Sequence, residues 1–163
     1  MMKDDRQIKL DAFYGAAKRC LAALTAVAKS DGNVTQAELT DLERVLVGVH
    51  LAALNLPDAR PGSGDQRGTA EFRESDPSLY DSLLKRFAFD DTYYTVEGGE
   101  FITRSLTADL WEIAIDLAAA VAAAEAGLPD PPLSWELRFD FESHWGRHLV
   151  DSTQRLHILR ATI

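Results

Sequence analysis

Side chains able to do chemistry crowd the stretch WELRFDFESHWGRH, Trp135 to His148, and thin out elsewhere. His144 and His148 stand four apart, so a helix brings their imidazoles to one side. Two imidazoles at that spacing can hold one metal ion, with Asp140 or Asp151 completing the set. The plainer alternative is a polar helix face carrying two hydrogen-bonding histidines. The zinc-protease helix needs Glu directly after its first His, and Trp145 occupies that place. The Glu-x-x-His pair of di-iron bundles is missing too, because no acid lies three residues before any His.

Arg138 and Glu142 are also four apart. With Ser134 to Arg160 wound as one helix at about 100° per residue, Trp135, Phe139, Phe141, Trp145, Leu149, Val150, Leu156 and Leu159 form an apolar arc. Arg138, Glu142, Gly146 and His157 fall inside that arc. Charges buried there must pair, since an unpaired one is strongly destabilising. The expectation is an internal Arg138–Glu142 link that fixes how the helix docks, with the floor of a small pocket as the functional alternative. Gly in a helix interior costs about 1 kcal/mol relative to Ala, so Gly146 is expected where another backbone comes close. His50 and His157, single histidines near apolar surfaces, are expected as core hydrogen-bond donors. Tyr93 and Tyr94 read either as the rim of a binding cleft or as a loop pinned by one buried ring.

A third group is acidic. Asp109, Glu112 and Asp116 share about a 60° arc of one helix, and Glu38 and Asp41 lie on another. All-α nucleotide pyrophosphatases hold Mg²⁺ with paired carboxylates on two helices. Here a matched second pair is not evident, and a solvated acidic face is the ordinary reading. The sequence contains no Gly-rich phosphate loop, no Gly-x-Ser-x-Gly elbow and no Cys/His nucleophile pair, and no motif calls for a cofactor.

Five helical segments must position these groups, in an all-α single-domain bundle over residues 1–163. The first covers Asp5 to Lys29, with Ile8, Phe13, Ala16, Cys20, Leu24 and Val27 on one face. Cys20 is read as a small buried residue. Asp31-Gly32 supplies a stop, and Thr35-Gln36-Ala37-Glu38 fits a capping box. The second helix then runs to Leu54, burying Leu39, Leu42, Leu46, Val49 and Leu54. Asn55 to Ser75, rich in Gly and Pro, reads as a long surface loop. Asp76-Pro77 starts a short third helix to about Arg86. Phe87 to Arg104 is aromatic and acidic, with Gly98-Gly99 marking a possible hairpin. Ser105 caps the fourth helix, which runs to Ala126. Gly127 stops it, and Pro129, Pro131 and Pro132 bar its resumption.

The formal net charge is −9 and the pI about 4.8. An acidic surface repels phosphate backbones, so nucleic acid is an unfavoured partner and a basic protein a favoured one. The start MMKDDRQIKLD carries acids where a signal peptide needs bases and then an apolar run. No apolar stretch approaches the roughly twenty residues of a membrane span. A cytoplasmic protein is expected.

Four segments occur in order: LVGVHLAALNLPD (Leu46 to Asp58), DDTYYTV (Asp90 to Val96), SLTADLWEI (Ser105 to Ile113) and WELRFDFESHWGRHLVDSTQRLH (Trp135 to His157). Together they resemble a bacterial family of domains of unknown function, number 5063, over most of the chain. The resemblance points to Trp135, Arg138, Glu142, His144, Trp145, Gly146 and His148 as its signature and brings no activity. AVAKSDGNVTQAEL (Ala26 to Leu39) resembles, locally, the helix–DG–helix start of tellurite-resistance TerB-like domains, which implies metal-binding acids on helices. It is not an EF-hand, because the alternating acids are missing.

Two functional readings follow. The first is a protein–protein interaction module, such as an antitoxin- or immunity-like partner of a basic protein. The alternative is a small metal- or ligand-dependent enzyme or binder centred on Arg138, Glu142, His144 and His148. Trp145, Tyr93 and Tyr94 complete the candidate contact set.

Overall fold

The computed structural model describes residues 4–61, 68–130 and 132–163. Helix α1 spans Asp5–Lys29 and α2 Gln36–Leu54. A 3₁₀ turn covers Thr69–Phe72 and α3 covers Pro77–Phe87. Strands β1 (Thr92–Glu97) and β2 (Glu100–Ser105) form a hairpin. Helix α4 spans Leu106–Glu125 and α5 Pro132–Asp140; a π turn at Phe141–Trp145 leads into α6, Gly146–Thr162.

The helix starts follow local chemistry. Asp4 caps α1, accepting from the Gln7 amide at 2.7 Å. Thr35 and Glu38 form the reciprocal box, with the Thr35 amide donating to Glu38 at 2.7 Å. Asp76 caps α3 with Pro77 in its first turn, and Ser105 caps α4. A Schellman stop ends α4: Leu128 donates to the Ala123 carbonyl at 3.1 Å and Gly127 to Ala124 at 3.0 Å.

The possible hairpin is a hairpin. Thr92 pairs with Ser105 and Glu97 with Glu100 across an antiparallel ladder. Gly98 and Gly99 both take positive φ, +60° and +87°, as a two-residue turn of the primed type requires. Glu97, at the strand end before the turn, pairs with Arg147 of α6, and Tyr93 reaches into the bundle to Asp109.

Helix α4 is the central rod and packs against α1, α3 and α6. Phe13, Leu24, Leu39, Leu42, Leu46, Leu83, Phe87, Leu110, Ile113 and Leu117 are fully enclosed in the core. Cys20 is buried as expected, and burial pushes its thiol up to about 12. Arg86 is a buried cation, 3% exposed, on the last turn of α3. It holds both Glu38 oxygens at 2.6 and 2.7 Å and donates to the Asp31 and Gly32 carbonyls, tying the α1–α2 turn to α3. Burial works to raise the Glu38 carboxyl, but the Thr35 amide and hydroxyl, with Arg86, outweigh it and hold that carboxyl below its ordinary value.

Several expectations are corrected. Ile8, Leu54, Phe139 and Val150, assigned to apolar faces, are exposed. Each lies at the edge of its helix's apolar arc, where no neighbouring element covers it. Pro132 opens α5 instead of barring it, because a first-turn proline has no amide to lose; Pro131 lies outside the described residues. The segment Asn55 to Ser75 is not simply a surface loop. Leu56, Pro57 and Thr69 are buried, and side chains of α1 and α5 bind it, as shown below; residues 62–67 lie outside the description. No helix among the described residues is long and apolar enough to cross a membrane.

Candidate functional site

The C-terminal helical segment is continuous but not regular. Its buried positions step by four from Leu133 through Leu137, Phe141 and Trp145 to Leu149. A 3.6-residue helix would carry such a row about 160° around its axis. The π turn absorbs the drift, with the Gly146 amide bonding back to the Phe141 carbonyl five residues earlier. That geometry explains Gly146. A Cβ there would strike the Phe141 carbonyl and meet its ring at 3.0 Å. The close backbone is the helix's own, not a neighbour's.

The expected Arg138–Glu142 link is absent. Glu142 is exposed, on the first turn of the widened segment. Arg138 reaches away from it, to the Leu56 carbonyl and the Asp58 carboxylate. The widened turn breaks the α-helical register that would bring i and i+4 side chains together. Arg138 anchors the chain after α2 to α5. Arg6 holds the same chain, donating to the Asp58 carbonyl at 2.9 Å.

The two histidines point into a polar seam between α4 and the end of the chain. His148 Nδ1 lies 2.7 Å from Asp109 Oδ1, and His144 Nδ1 lies 3.0 Å from Asp116 Oδ2. The order reverses along the two elements, so they run antiparallel. The imidazole rings stand edge to face, 5.2 Å apart. An ionised carboxylate only accepts, so each imidazole donates through Nδ1–H to its aspartate.

The two ends of the seam differ in access. At the closed end Asp109 is 2% exposed and His148 8%. The Tyr93 hydroxyl donates to the second Asp109 oxygen. Burial and the Asp109 carboxylate push the Tyr93 phenol far above its ordinary value, so it stays a donor. Asp151 sits nearby; burial, then the Asp109 charge, raise its carboxyl. At the open end Asp116 is enclosed, but the His144 side chain is 39% exposed. Arg73 bridges Asp116 Oδ1 at 3.0 Å and Glu112 Oε2 at 3.1 Å. Glu112, Asp116 and His144 bring one ligand-type atom each to within 4.8 Å of one another. Thr69 of the 3₁₀ turn donates to Glu136 of α5 at 2.9 Å through both its amide and its hydroxyl, and to Asp140 at 3.2 Å through its hydroxyl.

The proposed acidic face of α4 is therefore corrected. Asp109 is buried against Tyr93 of the hairpin and His148 of α6, and Asp116 against His144 of the π turn and Arg73 beyond the 3₁₀ turn. The three acids do not converge either: Asp109 belongs to the closed end, Glu112 and Asp116 to the open one. Glu38 and Asp41 lie elsewhere, the first on Arg86 and the second on Arg44. Asp140 and Asp151 fall at opposite ends and do not join both histidines around one point. Of the two tyrosines, Tyr93 is the pinned ring and Tyr94 is exposed. Trp145 is core, packed on Phe141 and Phe13 at centroid distances of 4.9 and 6.3 Å.

A second feature was not anticipated. His157 is not a core residue; it faces outward and bonds Glu43 at 2.9 Å. It lines an open groove between α2 and α6 with Val47, His50, Leu51, Val150, Gln154 and Ile158. Gln154 and Ile158 also line an adjoining depression beside Tyr94. The signal for this groove was Val47 and Leu51, apolar residues four apart and outside the buried set of α2.

Comparison with known proteins adds a family and a fold. The family model described as a domain of unknown function, 5063, matches residues 6–162. The crystal structure of protein BF1032 from Bacteroides fragilis, a structural-genomics target, is similar with a TM-score of 0.68 at 22% identity, covering 93% of this chain and 91% of that one. At that identity the likeness shows the fold alone. No curated protein matches the chain.

Proposed function

The chain belongs to the family of domains of unknown function numbered 5063, whose description names no activity, and from its own surfaces we propose a binding module that docks an amphipathic helix of a basic partner protein. One observation carries this reading. Val47, Leu51, Val150 and Ile158 are 41 to 57% exposed and together line a groove of about 570 Å³. Exposed apolar side chains gathered in one concavity favour desolvation by a partner. A groove between two helices suits anchors spaced three and four apart on a third. The net charge of −9 disfavours a second copy of the same chain and favours a basic partner. Tyr94, beside Ile158, extends the contact face toward the hairpin.

The test compares wild type with Leu51→Lys and Ile158→Lys as baits in native lysate at low salt. Both positions are exposed, so the fold tolerates the changes. The expected outcome is a basic protein retained by wild type and lost by both variants. Recovery of no partner, or equal recovery on all three baits, overturns the proposal.

The alternative reading, a metal- or ligand-dependent site, loses three of its four residues, since Arg138 binds Asp58, Glu142 faces solvent and His148 is sealed at the closed end. It survives only at the open end of the seam.

A further inference from the structure

We propose that Glu112, Asp116 and His144 bind one first-row divalent cation of the zinc or manganese class, and that the ion enters by displacing the Arg73 guanidinium. The site lies on α4 and the π turn, apart from the α2–α6 groove, so this proposal and the docking proposal can fail separately.

The donor set is mixed, which separates it from an ordinary acidic patch. Glu112 and Asp116 are four apart on α4 and present their carboxylates to one side. The π turn supplies an imidazole to the same point. Their ligand atoms lie within 4.8 Å of one another. Donors around a tetrahedral zinc stand about 3.4 Å apart, so closure needs shifts of only about an ångström. One nitrogen with two carboxylates suits zinc or manganese; calcium and magnesium favour oxygen alone.

The charge balance supports an exchangeable cation. Among the described residues Arg73 is the arginine paired with this group, and it touches both carboxylates. It is itself 40% exposed and follows the 3₁₀ turn, so it can swing to water at small cost. Two more acids stand behind the site. Glu136 and Asp140, four apart on α5, are clamped by Thr69. Gly68 allows that clamp, because a Cβ there would press into the Glu136 carboxylate. A divalent ion neutralises two carboxylates backed by Glu136 and Asp140 more fully than one guanidinium does.

The experiment titrates the full chain, stripped with a chelator, with ZnCl₂ or MnCl₂ alone by calorimetry. One equivalent is expected to bind with a rise in Tm. Asp116→Asn and His144→Asn should each weaken binding by roughly tenfold or more. Glu112→Gln, at a partly exposed position, repeats the test where Asp116→Asn perturbs folding. Arg73→Gln removes the competitor and should tighten binding by a similar factor. The His144 imidazole nitrogens should shift on zinc addition in a nitrogen-15 spectrum while those of His50 stay. Absence of binding, binding indifferent to Asp116, Glu112 and His144, or weaker binding by Arg73→Gln overturns the proposal.

Discussion

The two ends of the α4–α6 seam use the same pair of residue types to different effect. Asp109 with His148, and Asp116 with His144, are both carboxylate–imidazole hydrogen bonds at 2.7 and 3.0 Å. At the closed end the hairpin adds Tyr93 and shuts out water. At the open end the partners are Arg73 and a half-exposed imidazole. Identical chemistry thus becomes structural where it is sealed and available where it is not. Access, not residue type, separates a core linkage from a site.

The sharpest way to break this contrast is to remove each aspartate in turn. Asp109→Ala strands the Tyr93 hydroxyl and the His148 Nδ1–H in the interior. Each orphaned donor carries its full desolvation penalty, and the expected loss is about 3 kcal/mol. Asp116→Ala strands partners that can both turn to water, and the expected loss is under about 1 kcal/mol. Urea denaturation of both variants measures the difference. Equal losses would mean that the two ends are equally sealed, and the distinction would fall.

Gly146→Ala tests the turn that divides the seam. Its methyl group would collide with the Phe141 carbonyl and ring. Overpacking of this kind costs about 1–3 kcal/mol. Alanine normally strengthens a helix interior, so a gain in stability would show a regular helix through this point.

The caps were legible because each is written in adjacent residues: Thr35 with Glu38, Asp76 with Pro77, Ser105, Gly127. The five-rod, mostly helical plan followed from them and from apolar periodicity. The site was less legible, for two physical reasons. A helix wheel at a constant 100° per residue has no place for a widened turn, so it set Arg138, Glu142 and Val150 on the buried side. The repeated four-residue step from Leu133 to Leu149 was the available signal. The second reason is distance along the chain. Asp109 and His148 are 39 residues apart, and no local pattern says which acid meets which imidazole. Asp109, Glu112 and Asp116 on one side of the largely apolar α4 were the available signal that this side faces something polar.

Asp151 sharpens the comparison by pH. It borders the closed end, facing Asp109, Arg104, Arg147 and His148. Its folded carboxyl is raised, so the native state holds a proton that the unfolded chain has released. Stability from this group is therefore lost as pH rises from the ordinary carboxylate value through the raised one. Asp151→Asn escapes that loss. Its Tm should exceed wild type at neutral pH, by the equivalent of less than about 1 kcal/mol. The gap should close as pH falls to about 3. A gap that widens in acid would contradict burial as the dominant influence on this carboxyl.

Glu142→Gln is the smallest expected effect and the most diagnostic of the widened turn. A regular helix would press Glu142 against Arg138 on the buried side. Losing that link would cost about 3 kcal/mol, the penalty for a buried charge left alone. With the π turn, Glu142 faces solvent and Arg138 keeps Asp58 and the Leu56 carbonyl. The change in unfolding free energy should then stay within about half a kcal/mol. A loss several times larger would return the carboxylate to the interior, remove the π turn that presents His144 at the open end, and leave the two ends of the seam with no reason to differ.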